Sequence, residues 1–136
     1  MAETKYGRYI VKEPLGKGGF FPILHVDGDV NFEGDDFSFR LHYMKEPHLL
    51  IKEPHKHDFE QYLCFVSSDL DNVKDFGAEV ELYLGEEGVK HIIDVSSIVH
   101  IDRGLVHGPL HFKRIDKPVI FLDIILKAKY EVLPVK

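Results

Sequence analysis

Three histidines stand at the spacings that allow side chains to act together on one ligand. His55 and His57 are separated by one residue. His107 lies roughly fifty residues after this pair and three positions after Gly104. In an extended segment, residues i and i+2 point to the same face, about 7 Å apart along the backbone. Two such imidazoles can bind one cation and leave coordination positions open for distant residues. This pattern predicts a metal site.

Short apolar runs separated by turn residues must position these histidines. Residues 37–43 alternate, with apolar side chains at the odd positions and Ser38, Arg40 and His42 on the other face. Further strands are predicted over residues 61–67, 80–84, 91–95 and 119–126. Turns rich in Gly and Asp separate them. Many short strands with turn-rich joins predict an all-β fold, an antiparallel sandwich or barrel.

The run 119–126 is apolar at both parities apart from Asp123, which predicts a strand buried on both faces. Pro118 and the β-branched content favour a strand over a helix. Residues 1–25 contain several glycines and Pro22, and are predicted to form an irregular arm that covers a sheet edge or reaches a second subunit.

Composition limits the class of protein. A chain of 136 residues is long enough for one domain. The net charge of −6, with no stripe of Lys or Arg, argues against nucleic acid and anionic membranes as partners. The sequence contains neither an apolar run of about 20 residues nor an apolar leader at the N-terminus. Cys64 is the single cysteine, which fits a reducing, cytoplasmic setting.

The segments His55–Gln61 and Asp102–His107 resemble the two motifs of the cupin superfamily. The first motif is H-x-H followed after three or four residues by Glu, and the second contains P-x-G-x-x-H. The chain keeps the H-x-H and G-x-x-H cores. It has Gln61 at the position of the motif's Glu, Asp102 at that of its Pro, and His111 where the motif has Asn.

This resemblance implies an antiparallel double-sheet β-barrel, or jelly roll. It makes residues 1–136 a single cupin domain, with the arm at 1–25 and the barrel core at 37–126. It implies one divalent transition metal (zinc, iron, manganese, nickel or copper) held by His55, His57, Gln61 and His107. A homodimer and a small-molecule ligand are expected as partners.

Glu60 is an alternative to Gln61 as the fourth ligand. On a straight strand Gln61 would lie about 13 Å beyond His57, so the chain must turn at residues 58–60 to share an ion. Motif spacing favours Gln61, whereas charge favours Glu60, because a carboxylate stabilises a divalent cation more strongly. Gln61 is preferred here. Three imidazoles and an amide would leave the ion its full charge.

Three further side chains are candidates for a supporting role. If their face of the strand points into the barrel, Arg40 would bind a substrate carboxylate and His42 would act as a general base. A solvated outer face is the preferred interpretation of that strand. His111 is expected to hydrogen-bond to a metal ligand. The leading functional hypothesis is a metal-dependent enzyme acting on a small polar organic acid by oxygenase, isomerase or lyase chemistry, and the alternative is a non-catalytic small-ligand or metal-binding module.

Overall fold

The structure is a computed structural model that describes residues 4–133 and 135. Its nine strands are β1 (Leu24–Asp27), β2 (Ser38–Met44), β3 (His48–Ile51), β4 (Gln61–Ser67), β5 (Ala78–Leu84), β6 (Val89–Ile93), β7 (Ser97–Ile101), β8 (His107–Ile115) and β9 (Val119–Ile125). Helical structure in the described part is limited to a 3-10 turn at Gly7–Tyr9 and a single α-helical turn, α1, at Gly28–Asn31. No helix within the described ranges has the length and apolar character needed to span a bilayer.

The strands form two antiparallel sheets. One has the order β1-β2-β9-β4-β7 and the other β3-β8-β5-β6. This confirms the predicted all-β, double-sheet jelly-roll fold, as two separate hydrogen-bonded sheets rather than one closed ring. The predicted arm and core boundaries, 1–25 and 37–126, remain a prediction. Residues 1–3, 134 and 136 lie outside the described part.

The apolar core fills the space between the sheets. Phe65 and Phe121 come from the five-stranded sheet and Phe112 from the four-stranded sheet, and their ring centroids lie 5.0–6.0 Å apart. Such offset and edge-on contacts between aromatic rings are favourable beyond the area that they bury. Alternation along each strand sends these side chains inward, and Phe121 extends the core to the cavity wall, where its ring packs against His42.

The preferred interpretation of residues 37–43 is wrong. Ser38, His42 and Met44 are buried, whereas Tyr43 is 48% exposed, so the polar face of β2 points into the barrel. The cause is the pairing partner, because Arg40 lies opposite Asp123 on β9 and both line a cavity between the sheets. Hydrophobic alternation identifies the core face only where the interior is apolar.

The N-terminal arm follows the edge of the five-stranded sheet. Leu15 forms an isolated antiparallel bridge with Leu24 of β1. Further along, Phe20 stacks on His48 of the other sheet, with ring centroids 3.9 Å apart. The arm thereby crosses from one sheet to the other, and Pro22 forms part of the cavity wall.

Candidate metal centre

The two histidine segments meet through backbone hydrogen bonds. His55 lies between β3 and β4, His107 opens β8, and each donates its amide N–H to the other's carbonyl oxygen at 2.9 Å. Gly104 donates its amide to the His57 carbonyl oxygen at 2.9 Å from a turn with φ of +79°. That conformation suits glycine, because other residues rarely adopt it. The G-x-x-H spacing therefore delivers His107 to the H-x-H pair.

The side chains of His55, His57 and His107 form one cluster. Their potential ligand atoms all lie within 4.8 Å of one another, so small side-chain rotations bring them round one ion. The Nδ1 atom of His57 donates to the Glu131 carbonyl oxygen at 2.6 Å, and that of His107 donates to the Leu105 carbonyl oxygen at 3.0 Å. A carbonyl oxygen only accepts, so in both rings the proton sits on Nδ1 and Nε2 carries a free lone pair.

These two Nε2 atoms are buried and have no hydrogen-bond partner among the residues that the structure describes. An unpaired buried polar atom is costly, and a metal ion satisfies it. Burial, followed by repulsion from the neighbouring imidazoles, lowers the pKa of His55 to about 4. Burial also lowers the pKa of His57 to about 4, and lowers that of His107. All three rings are neutral at physiological pH, as metal ligation requires.

Gln61 lies at the first position of β4 and faces the same interior. Its Nε2 donates to Asp123 Oδ1 at 2.7 Å, and within the described part of the chain its buried Oε1 has no hydrogen-bond partner. This hydrogen bond fixes which end of the amide is free, and the free end is an oxygen acceptor. Gln61 therefore offers a neutral oxygen ligand. Like the Nε2 atoms of His57 and His107, this oxygen is buried and accepts no hydrogen bond from the described residues.

A cavity of about 200 Å³ adjoins the histidine cluster. Its polar lining consists of Arg40, His42, His55, Gln61, Asp123 and Tyr130. Nη1 of Arg40 and Nδ1 of His42 are buried and form no hydrogen bond with residues 4–133 or 135, while Nη2 of Arg40 binds Asp27 Oδ1 at 2.9 Å. Burial lowers the pKa of His42 to about 4 and raises that of Asp123 to about 6.

Of the sequence-predicted residues, the structure brings His55, His57, His107, Gln61, Arg40 and His42 together. Glu60 lies elsewhere: its carboxylate binds the His100 ring and accepts from the Arg103 amide at 2.8 Å. Adjacent residues on a strand point to opposite faces, so when Gln61 faces inward Glu60 cannot. Glu60, His100 and Asp102 form a second, exposed group of possible ligand atoms.

His111 does not support the cluster, contrary to the sequence-based expectation. It is on the outer side of the four-stranded sheet, with Nδ1 3.5 Å from Glu81 Oε1. His107 pairs with Leu84 and Leu110 with Leu82, so β8 has one more residue than β5 over this stretch. A bulge of this kind reverses the alternation, and the four-residue spacing no longer keeps both histidines on one face.

Three groups that line or contact the site were not predicted from the sequence: Asp123, Tyr130 and the Glu131 carbonyl. Asp123 carried a signal, as the one charged residue in an otherwise apolar strand. The other two belong to the C-terminal segment, which returns to pair Lys56 with Leu133. Tyr130 packs 4.9 Å from the His57 ring, and burial raises its pKa to about 12. No local pattern marks such a non-local contact.

Comparison with known proteins supports the fold. No family model and no curated protein sequence matches the chain. Among solved structures, an uncharacterised conserved protein with a double-stranded β-helix domain from Klebsiella pneumoniae matches over 98% of this chain and 96% of its own, with 15% identity and a TM-score of 0.57. The chain therefore has a double-stranded β-helix fold, which is the fold that the cupin resemblance predicted.

Two oxalate decarboxylases share the fold over part of their length. The Lactobacillus farciminis enzyme, in a formate complex, matches 80% of this chain with 15% identity and a TM-score of 0.54. The Bacillus subtilis enzyme matches 79% with 14% identity and a TM-score of 0.51. This chain spans 29% and 25% of their lengths. At such identity the likeness concerns the fold alone.

Proposed function

We propose that the protein is a metal-dependent cupin that acts on a small organic acid. The observation that carries the proposal is the pair of buried, unpaired Nε2 atoms on His57 and His107. Each ring is held by its Nδ1 hydrogen bond so that the free lone pair points into a cluster with His55. Backbone acceptors on the opposite ring nitrogen are the usual way in which proteins orient metal-binding histidines.

His55, His57, His107 and the Gln61 amide oxygen would hold one divalent transition metal. Imidazole suits zinc, iron, nickel and copper, and manganese accepts imidazole beside oxygen ligands. The Bacillus subtilis oxalate decarboxylase has Mn(II) centres, which puts manganese among the first ions to test. Because all four ligands are neutral, a bound ion keeps its charge and serves as a Lewis acid towards an anion.

Arg40 and His42 would bind and orient the acid. The free Nη1 of Arg40 lies in the cavity wall, where a guanidinium binds carboxylate strongly. His42 is neutral, and its unpaired Nδ1 is available to exchange a proton or a hydrogen bond with the ligand. A volume of about 200 Å³ admits a molecule of few heavy atoms. Formate, the ligand of the Lactobacillus farciminis complex, is smaller than this volume and would fit inside the cavity.

Asp123 would position Gln61 and tune the cavity. Its carboxylate accepts the Gln61 Nε2–H and lies opposite Arg40 on the neighbouring strand. It therefore turns the amide oxygen towards the histidine cluster and balances the arginine charge when no ligand is bound. Tyr130 lines the same cavity beside them.

The test begins with metal binding to chelator-treated protein, titrated with Mn²⁺ and Zn²⁺ in a calorimeter. We expect one equivalent to bind the wild type and His107→Ala to lose at least 100-fold in affinity. His100→Ala is the matched control, because His100 belongs to the exposed Glu60 group. Loss of binding in His100→Ala alone, or no binding in the wild type, would refute the proposed centre.

The acid is tested next, with oxalate and formate titrated into the Mn²⁺-loaded protein. Binding that weakens at least tenfold in Arg40→Gln supports the carboxylate role, and Arg114→Gln, at an exposed position, is the control. Binding without turnover would favour the non-catalytic module over the enzyme. Cytoplasmic location and a homodimer stay predictions.

A further inference from the structure

The N-terminal arm folds back on itself in a turn that depends on glycine. Gly16 donates its amide to the Ile23 carbonyl oxygen at 3.0 Å, and Gly18 donates to the Pro22 carbonyl oxygen at 3.2 Å. Gly18 has a φ of +72°, which other residues rarely adopt. A methyl group on Gly16 would lie 2.2 Å from the Pro22 carbonyl oxygen, far inside van der Waals contact. We call residues 16–22 the glycine turn, and its backbone is a defined element of the fold.

The glycine turn borders a second cavity, of about 320 Å³, which we call the arm cavity. Its lining consists of Gly16, Lys17, Phe21, Pro22, His25 and Arg40. Pro22 and Arg40 also line the cavity of about 200 Å³ beside the histidine cluster. A molecule held by Arg40 beside the histidines therefore has the arm cavity as its neighbour.

The polar side chains around the arm cavity are largely engaged with one another. Asp27 Oδ1 accepts from Arg40 Nη2 at 2.9 Å, and Asp27 Oδ2 lies 3.1 Å from His25 Nε2. Lys17 is exposed, and its Nζ lies 5.1 Å from the centroid of the Phe21 ring, in a cation–π contact. What remains for a ligand to contact in this cavity is mainly the apolar surface of the glycine turn.

That apolar surface is open beside the acid-binding arginine. Phe21 is 59% exposed, although the glycine turn holds its backbone in place. Binding sites for small molecules are lined mainly by apolar and aromatic groups, with a few polar groups that fix the orientation of the ligand. The polar group here is Arg40, whose buried Nη1 forms no hydrogen bond with the described residues. Because Arg40 lines both cavities, a carboxylate and an apolar chain can occupy them together.

We propose that the arm cavity binds the apolar tail of the acid, and that Phe21 and Pro22 select a monocarboxylic acid with an unbranched aliphatic chain. The inference rests on the proposed function, because the carboxylate is placed at Arg40 beside the metal centre. A chain that leaves the carboxylate passes Pro22 and covers the Phe21 ring. Each methylene group removed from water then tightens binding about fourfold. Apart from Arg40, the described lining of the arm cavity has no unpaired buried donor, so a second carboxylate at the far end would resist burial.

The test compares straight-chain acids by calorimetry on the Mn²⁺-loaded protein. Hexanoate should bind about tenfold more tightly than butanoate, because it buries two further methylene groups. In Phe21→Ser this advantage should fall to about threefold or less. Leu70→Ser is the matched control, since Leu70 is 98% exposed in the loop between β4 and β5, and it should keep the full advantage.

Gly16→Ala is the second variant, and it should also lose the advantage, because the methyl group displaces the Pro22 carbonyl. Circular dichroism melting establishes that each variant is folded. Adipate has the chain length of hexanoate and a second carboxylate, and it should bind more weakly than hexanoate. Adipate that binds as tightly as hexanoate overturns the proposal, because the arm cavity would then bind an anion through Lys17.

Two other results also overturn the proposal. One is equal affinity for butanoate and hexanoate, and the other is an advantage of hexanoate that survives in both Phe21→Ser and Gly16→Ala. In either case, butanoate binding that weakens in Arg40→Gln leaves the proposed function intact. The absence of binding by every acid refutes both the acid-binding function and this inference.

Discussion

Replacing Gln61 with Glu tests the arrangement of the cavity directly. Gln61 Nε2 donates to Asp123 Oδ1 at 2.7 Å, so the variant sets a carboxylate against a carboxylate at that distance. If both were ionised, their repulsion would be about 6 kcal/mol at an effective dielectric constant of about 20. A proton shared between them avoids this cost, as in other close carboxylate pairs.

The cost of that proton follows from the pKa of Asp123, which burial raises to about 6. Holding it protonated at about pH 7.5 takes about 2 kcal/mol, and at about pH 6 well under 1 kcal/mol. The metal-free Gln61→Glu protein should therefore lose about 2 kcal/mol of unfolding free energy at the higher pH and little at the lower. The Gln61→Glu/Asp123→Asn double variant should recover most of the loss, because the Asn amide donates to the new carboxylate.

Urea denaturation at both pH values, with a chelator present, measures these quantities. Mn²⁺ affinity of the Gln61→Glu single variant adds an independent readout: a carboxylate ligand should tighten it at least tenfold, while Glu60→Gln, one residue away and outside the cavity, should leave it unchanged. If Gln61→Glu were as stable as the wild type at about pH 7.5, the hydrogen bond to an ionised Asp123 would be refuted. An unchanged Mn²⁺ affinity would exclude Gln61 as a ligand.

Three further outcomes are expected. In metal-free protein, the pKa values of His42 and His57 are about 4 in the folded state against 6.5 for free histidine, so the unfolded state binds more protons between these pH values. The unfolding free energy should therefore fall as the pH decreases through this window, by up to about 3 kcal/mol per histidine, while the raised pKa of Asp123 opposes the trend. His42→Leu should flatten the pH dependence of the urea midpoint. Saturating Mn²⁺ should raise the melting temperature of the wild type and leave that of His57→Ala unmoved, and equal shifts would place the ion elsewhere. Gly104→Ala should cost about 1 kcal/mol by its φ of +79° alone, with open space around a new methyl group, and a neutral result in thermal melting would contradict that turn conformation.

Much of the fold could be predicted from local pattern. The predicted strands at 61–67, 80–84 and 119–126 correspond closely to β4, β5 and β9, because β-branched and aromatic residues favour strands. The G-x-x-H and H-x-H motifs identified the three histidines that lie together in the structure, because each motif spans only a few residues and can be recognised locally. These inferences needed no knowledge of which strands are neighbours.

Pairing between distant strands decided the rest. The direction in which β2 faces depends on its register with β9, where Arg40 meets Asp123, and alternation alone assigned it wrongly. His111 left the site because of one extra residue in β8 relative to β5. The sequence left Glu60 open as an alternative to Gln61, and the structure places the Glu60 carboxylate against His100, outside the cavity. Asp123 fixes which end of the Gln61 amide is free. The sequence by itself determined which side chains could bind a metal and that they would be carried on strands. Only the tertiary structure decided which lone pairs are left free, because that depends on partners as remote in sequence as Glu131 and Asp123.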